Sequence, residues 1–311
     1  MGLDQKKKLV IASPRGFCAG VKRAIEIVEK AIELWGPPIY VKHEIVHNQF
    51  VVDRLREKGA IFVEELEDVP PGSRVIFSAH GVPPRTFQEA KDRELKVTDA
   101  TCPLVTKVHK EAARFSNVNS DILLIGHKNH VETIGTSGVA PERTTVVETL
   151  EDAWEAQVSN PENVAVLTQT TLSVDDTKDV LEVLRERFPD LQTPSRSDIC
   201  YATTNRQAAI KEICKDVDLV LVVGSRTSSN SNRLREVAER VGVSSYLISD
   251  ETEIHPEWLA GVQNIGMTAG ASTPEAIIMK CIARLRSLGV NEVEERPLIE
   301  ENITFHLPKM A

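Results

Sequence analysis

Cys18, Cys102 and Cys200 are the residues of this 311-residue chain best suited to unusual chemistry. Each precedes a stretch with helical apolar spacing. Val21, Ile25, Val28, Ile32 and Trp35 follow the first, Val105, Val108, Ala112 and Phe115 the second, and Ala209, Ile210, Ile213 and Val217 the third. Thiolates bind zinc and iron–sulfur clusters. Three protein ligands leave one coordination position open, which catalytic metals need and structural ones do not. A 4Fe–4S cluster held this way keeps one iron free to act as a Lewis acid on substrate. No C-x-x-C is present, and a cysteine taken singly reads as a small buried hydrophobe. Only the shared register of the three reverses that reading. Gly16 and Gly20, flanking Cys18, allow close backbone approach to a bulky group. Cys214 and Cys281 fall on apolar positions of helical patterns and are expected in the core.

Polar loops accompany the cysteines at repeating distances. His47 lies 29 residues after Cys18, His130 lies 28 after Cys102, and Asn230 lies 30 after Cys200. A later strand in each repeat runs into His80, Thr170 and Ser272 in turn. The stretch SRTSSNSNR, with Ser228, Ser229 and Asn230, gathers hydroxyl and amide donors just before a helical pattern, where anions bind well. His47, His80 and His130 add donors that switch with pH. Together these groups can hold a diphosphate without Mg²⁺ and without a lysine cluster. Neither a Walker A sequence nor a G-x-G-x-x-G after a strand is present. Glu132, two residues past His130, would have a raised pKa and could deliver protons if it faces an apolar cavity. On a solvated loop it would be an ordinary carboxylate. Ser228 to Asn230 also read as a helix N-cap and its approach. Ser272 opens a capping box, Ser-Thr-Pro-Glu275, and Ser173 opens another that ends at Asp176. His43, His109, His127, His255 and His306 read as surface or supporting residues.

The elements that must position these groups form three copies of one small α/β unit with a period of about 90 residues, too long for a solenoid. Strands alternate with helices, so the fold class is α/β with mainly parallel sheets. Residues 1–101, 102–199 and 200–289 are the expected units, in pseudo-threefold arrangement around a central cavity. A tail, 290–311, is expected to pack back with one strand from Ile303 to Leu307. In such sheets ligands bind outside the carboxyl ends of the strands, where all of these residues fall.

Hydrophobic residues make up 41% and charged residues 27%, which excludes disordered and fibrous classes. A net charge of −9 argues against nucleic acid and anionic membranes as partners. No apolar run is long enough to span a bilayer. The start MGLDQKKKLV lacks the apolar stretch of a signal peptide, and Lys6 stands where myristoylation wants Ser or Thr. Five widely spaced cysteines do not suggest a secreted disulfide framework. The expected location is the cytoplasm.

With these residues assembled, the chain resembles the 4-hydroxy-3-methylbut-2-enyl diphosphate reductases, which complete the non-mevalonate isoprenoid pathway. The stretches that carry the resemblance are PRGFCAGVKRAI, PIYVKHEIVHN, FSAHGV, DATCPLVTKVH, TQTTLSVDDT, DICYATTNRQ, VVGSRTSSNSNRL and TAGAST, from Pro14 to about Thr273. The resemblance implies a 4Fe–4S cluster on Cys18, Cys102 and Cys200 that can degrade to a 3Fe–4S form. It implies diphosphate binding by His47, His80, His130, Ser228, Asn230 and Ser272, with Ser229 nearby, and proton delivery by Glu132 and Thr170. The implied reaction is a two-electron, two-proton reductive dehydroxylation giving isopentenyl and dimethylallyl diphosphate. Electrons would come from a partner such as ferredoxin or flavodoxin. The sequence departs from the family pattern GHxxHPEVxGT at one notable place: His130, Glu132, Gly135 and Thr136 are kept, but Val131 replaces proline. Restoring an N–H and loosening φ is expected to make this loop less rigid and Glu132 less tightly placed. The rival readings are a metal-dependent hydro-lyase acting on a small anion, which needs no electrons, and a non-enzymatic cluster sensor, which would not need these polar loops.

Overall fold

The computed structural model describes residues 7–310. The N-terminal segment read above for a leader or lipid site therefore lies, up to Lys6, outside the described residues. The chain forms two compact bodies. One gathers the residues up to Ala19, His47–Gln49 and Tyr201–Thr304; the other gathers Gly20–Val46, Phe50–Cys200 and the residues from Phe305 on. No helix among the described residues is long and apolar enough to cross a membrane.

The first body is built on a five-stranded sheet. Its strands are β1 (Lys7–Ser13), β9 (Leu219–Val223), β10 (Ser244–Ile248), β11 (Asn264–Ala269) and β12 (Val290–Pro297), in the order β10-β9-β11-β1-β12. All pairings are parallel. Successive side chains of a strand point to opposite faces, and on the inner strands β1, β9 and β11 both faces are covered, so their centres read as apolar runs. Leu9, Ile11, Leu221 and Val223 join one core with Met267 and Ile278, while Val10, Ala12, Val220 and Val222 join another with Ile210 and Leu234. The helices supplying these partners are α8 (Tyr201–Ile213), α9 (Ser229–Arg240) and α10 (Glu275–Ser287).

The second body carries two sheets, both entirely parallel. One is β2 (Ile39–Lys42), β3 (Ala60–Val63), β4 (Arg74–Phe77) and β5 (Lys96–Asp99), in the order β3-β2-β4-β5. The other is β6 (Asp121–Ile125), β7 (Thr144–Val147) and β8 (Val164–Thr168), in the order β7-β6-β8. The helices here are α1 (Ala19–Trp35, of which Ala19 counts with the first body), α3 (Pro84–Asp92), α4 (Pro103–Asn117), α5 (Val131–Ser137), α6 (Leu150–Glu155) and α7 (Val174–Arg187), together with α2 (Gln49–Glu57) from Phe50 on. Leu123 and Ile125 face one core with Leu184 and Phe188, and Ile122 and Leu124 face another with Val108 and Phe115.

Several expectations need correcting. Residues 7–13, expected to open the first repeat, form a strand in the sheet of the third. The tail has its strand at Val290–Pro297, and Ile303–Leu307 form none. The reason is registry with β1: Val293 aligns with Leu9, and Lys8 bridges Glu292 and Glu294, whereas Ile303 is exposed. Cys214 is the first residue beyond α8 rather than within it, although it is buried as expected.

Candidate functional site

Each of the three cysteines is the residue immediately before a helix: Cys18 before α1, Cys102 before α4 and Cys200 before α8. Cys102 and Cys18 arrive from strand ends. Cys200 is reached through an irregular stretch after α7. Among the described residues there is no disulfide. The three are half-buried, whereas Cys214 and Cys281 are buried, and burial pushes their thiols up to about 11 and about 12. The chain thus offers three partly open thiols, each next to a helix start, and two buried ones that are hard to ionise. This donor set fits iron–sulfur ligation with one iron left open.

In the two-sheet body, hydrogen bonds tie the expected residues to one another. The Cys102 N–H donates to the carbonyl of Ala79 at 2.9 Å, next to His80. His80 lies at the carboxyl end of β4, its Nδ1 3.2 Å from Ser78 Oγ. The rings of His80 and His130 stand edge to face with centroids 6.1 Å apart. His130 is the N-cap of α5, and its Nδ1 accepts the Glu132 N–H at 3.1 Å. Glu132 is 3% exposed. Its Oε1 accepts from the Thr170 N–H at 2.6 Å and its Oε2 from Thr170 Oγ1 at 3.0 Å. The Thr170 carbonyl in turn accepts the Cys200 N–H at 3.1 Å.

Burial raises the Glu132 carboxyl to about 7, with the charge of Asp198 adding and the two Thr170 hydrogen bonds opposing. The buried-acid reading of Glu132 therefore holds over the solvated one. Both of its carboxyl oxygens are held by Thr170. Val131 is the first residue of α5, where an N–H has no intrahelical acceptor and where proline and valine both fit.

In the five-stranded body, residues 270–273 act as the organiser. The Cys18 N–H donates to the Ala271 carbonyl at 3.2 Å. Asn230 Oδ1 accepts the Ala271 N–H at 2.9 Å, and Asn230 Nδ2 reaches Thr203 Oγ1 at 3.5 Å. Ser272 Oγ donates to the His47 carbonyl at 2.9 Å. Ser228 caps α9 by accepting from the Ser231 N–H, and Ser229 and Asn230 are buried in its first turn. Ser272 does not cap: α10 begins at Glu275 after Pro274, with no side-chain cap, because the hydroxyl is used on His47 instead. Ser173 caps α7 as expected.

Of the other histidines, His43, His127 and His255 pair with Glu64, Glu148 and Glu257, and the His306 carbonyl takes Arg23. His109 is half-buried. Burial lowers its pKa, and its ring lies where a side chain on Gly81 would have to go. Asp198, Tyr201 and Thr203 were not singled out from sequence. Asp198 is buried against Lys107 and accepts the Thr168 N–H, and Tyr201 Oη accepts the Ala19 N–H. Their adjacency to Cys200 was the available signal.

Residues 9–286 match the family described as LytB protein. The chain is 58% identical to the 4-hydroxy-3-methylbut-2-enyl diphosphate reductase of Protochlamydia amoebophila, over 97% of this chain and 96% of the relative. It is 56% identical to the same-named protein of Aeromonas hydrophila, over 96% and 97%. Among solved structures, it is similar to the E-1-hydroxy-2-methyl-but-2-enyl-4-diphosphate reductase from Plasmodium falciparum. That match has a TM-score of 0.93 at 42% identity and covers 99% of this chain and 95% of that one.

Proposed function

This chain belongs to the LytB protein family of 4-hydroxy-3-methylbut-2-enyl diphosphate reductases, and we propose that it works through one 4Fe–4S cluster held by Cys18, Cys102 and Cys200. It is an oxidoreductase of the non-mevalonate pathway. It converts (E)-4-hydroxy-3-methylbut-2-enyl diphosphate, two electrons and two protons into isopentenyl or dimethylallyl diphosphate and water. The three expected repeats, 1–101, 102–199 and 200–289, supply one ligand each, a reading supported by the three parallel sheets.

When bound, the cluster supplies electrons and a Lewis-acidic iron. The chain's own residues do the rest. Glu132 holds a proton up to about pH 7 and gives it to the departing hydroxyl. Thr170 keeps both carboxyl oxygens in place and offers its hydroxyl beside them. His47, His80, His130, Ser228, Ser229, Asn230 and Ser272 bind the diphosphate, each in a loop or first turn after a strand's carboxyl end. Hydroxyl, amide and imidazole donors suit a substrate anion in a protein of net charge −9 that brings no lysine cluster to these loops. The burial of Glu132 is the observation that carries this reading, because a carboxyl protonated near neutrality has little use in a cluster sensor. Electrons come from a small donor such as ferredoxin or flavodoxin, in a cytoplasmic setting that keeps such donors reduced.

The test is protein purified without oxygen. About four irons and four sulfides per chain are expected for one such cluster, with turnover of the substrate by reduced donor. Air exposure should shift the spectrum toward a 3Fe–4S form. Zinc with no sulfide would overturn the proposal, since zinc cannot carry electrons.

A further inference from the structure

Arg206 is fully buried, its side chain 0% exposed, yet no substrate group is expected near it. A buried guanidinium is tolerated only when paired and hydrogen-bonded. Its partners all belong to the five-stranded body. Nη1 donates to Glu301 Oε1 at 3.0 Å and to the Ala202 carbonyl, one turn earlier in α8, at 2.9 Å. Nη2 donates to Glu301 Oε2 at 3.3 Å and to the carbonyl of Gly16 at 2.8 Å. Asn205 Nδ2 adds a further bond to Glu301 Oε1 at 3.1 Å. Arg206 Nε is buried with no acceptor, and among the described residues the carboxylate paired with this guanidinium is Glu301.

Gly16 lies two residues before Cys18, in the loop between β1 and α1. That loop is held by four backbone contacts. The Gly16 N–H reaches the Ala269 carbonyl at 3.2 Å, the Cys18 N–H reaches Ala271, the Ala19 N–H reaches Tyr201 Oη at 3.2 Å, and the Gly16 carbonyl takes Arg206. Gly16 has φ +63°, and a Cβ there would meet the Thr273 carbonyl at 3.1 Å, so the loop lies tightly on residues 269–273. Three of the contacts are made by the sheet's own loop or by the first residue of α8. The fourth depends on the tail: after β12 the Leu298 N–H bonds the Ser13 carbonyl, and three residues later Glu301 closes on Arg206.

We propose that Arg206 and Glu301 are positioning residues that fix where Cys18 presents its sulfur, with the tail acting as the lock. The inference rests on the reading of Cys18 as a cluster ligand. Glu301 holds the guanidinium fork in the plane that reaches Gly16, and the fork holds the loop. Without the carboxylate, the guanidinium loses the counter-charge it pairs with, the Gly16 bond weakens, and the thiol of Cys18 moves more freely. Cys102 belongs to the other body and does not share this support.

The test compares wild type, Glu301→Gln, Arg206→Lys and, as a control, the exposed neighbour Glu300→Gln. The full-length metal-free protein is treated with iodoacetamide, and alkylation is read residue by residue by mass spectrometry. Glu301→Gln should label Cys18 roughly tenfold faster, the ratio equivalent to one charge-assisted hydrogen bond, with Cys102 unchanged. Arg206→Lys keeps the charge but loses the fork and should show the same pattern. Glu300→Gln should match wild type. In the reconstituted protein, Glu301→Gln should also release iron to a chelator faster. Unchanged Cys18 labelling, or equal acceleration at all three cysteines, would overturn the inference. If wild type takes up no iron, the cluster reading fails on its own, and the alkylation pattern still decides whether the lock exists.

Discussion

Both oxygens of Glu132 are held by one residue, Thr170, through its N–H at 2.6 Å and its hydroxyl at 3.0 Å. The pairing fixes the carboxyl plane while leaving the group buried enough to carry a proton near neutrality. Folded protein binds this proton more tightly than unfolded chain does. The resulting stability is full below the ordinary value of 4.5 and is lost as pH rises through about 7. Turnover should follow the same limb, falling above about pH 7. Glu132→Gln should lower kcat by about 10²–10⁴-fold and abolish that limb. A kcat profile of wild type that stays flat from pH 6 to 9 would rule out Glu132 as the acid.

Thr170→Val tests the support separately from the acid. The backbone N–H bond to Oε1 remains, and the hydroxyl bond, which favours the ionised form, goes. The falling limb should therefore move to higher pH, and kcat should drop by about tenfold, the scale of one hydrogen bond to an ionisable group. A shift to lower pH would contradict the hydrogen-bond assignment.

The five cysteines should divide sharply. Cys18→Ser, Cys102→Ser and Cys200→Ser should each lose most cluster iron and nearly all turnover while melting close to wild type without iron. Cys281 is 0% exposed in the core of the five-stranded body, so Cys281→Ser should keep the iron but lose about 1–3 kcal/mol of stability by burying a hydroxyl among apolar groups. Iron content and thermal melting of the four variants decide the assignment.

Asn230 joins the α9 start to Ala271, the residue that also receives the Cys18 N–H. Asn230→Ala removes a proposed diphosphate donor and this brace together. KM should rise by about tenfold or more, and the Kd for inorganic diphosphate should weaken in parallel, the scale of one or two hydrogen bonds to a charged ligand. A pure kcat effect with unchanged diphosphate binding would move Asn230 out of the binding set.

Val131 starts α5, and proline is favourable at such a position. Val131→Pro should leave turnover within about threefold of wild type, because Glu132 is placed by Thr170 and His130 and not by residue 131. Complete loss of activity would show that the loop needs the Val131 N–H.

Sequence by itself determined the parts with a local cause. Apolar runs covered on both faces predicted parallel strands, helical spacing after Cys18 and Cys102 predicted α1 and α4, and the polar clusters at strand ends marked Ser228, Asn230, His80 and Thr170. Family motifs carried the rest of the residue list. Tertiary structure decided what depends on partners far along the chain. It moved β1 into the sheet of the last repeat and put the tail strand at Val290–Pro297, because parallel pairing is set by neighbours rather than by propensity. It turned Ser272 from a cap into a donor to His47 and made Glu132 a buried acid. It brought Arg206 to Gly16, 190 positions apart, and Glu301 to Arg206, 95 apart. Periodicity reports which face of an element is buried. It carries no information about which charge or carbonyl will meet that face, and that meeting sets a pKa or fixes a ligand loop.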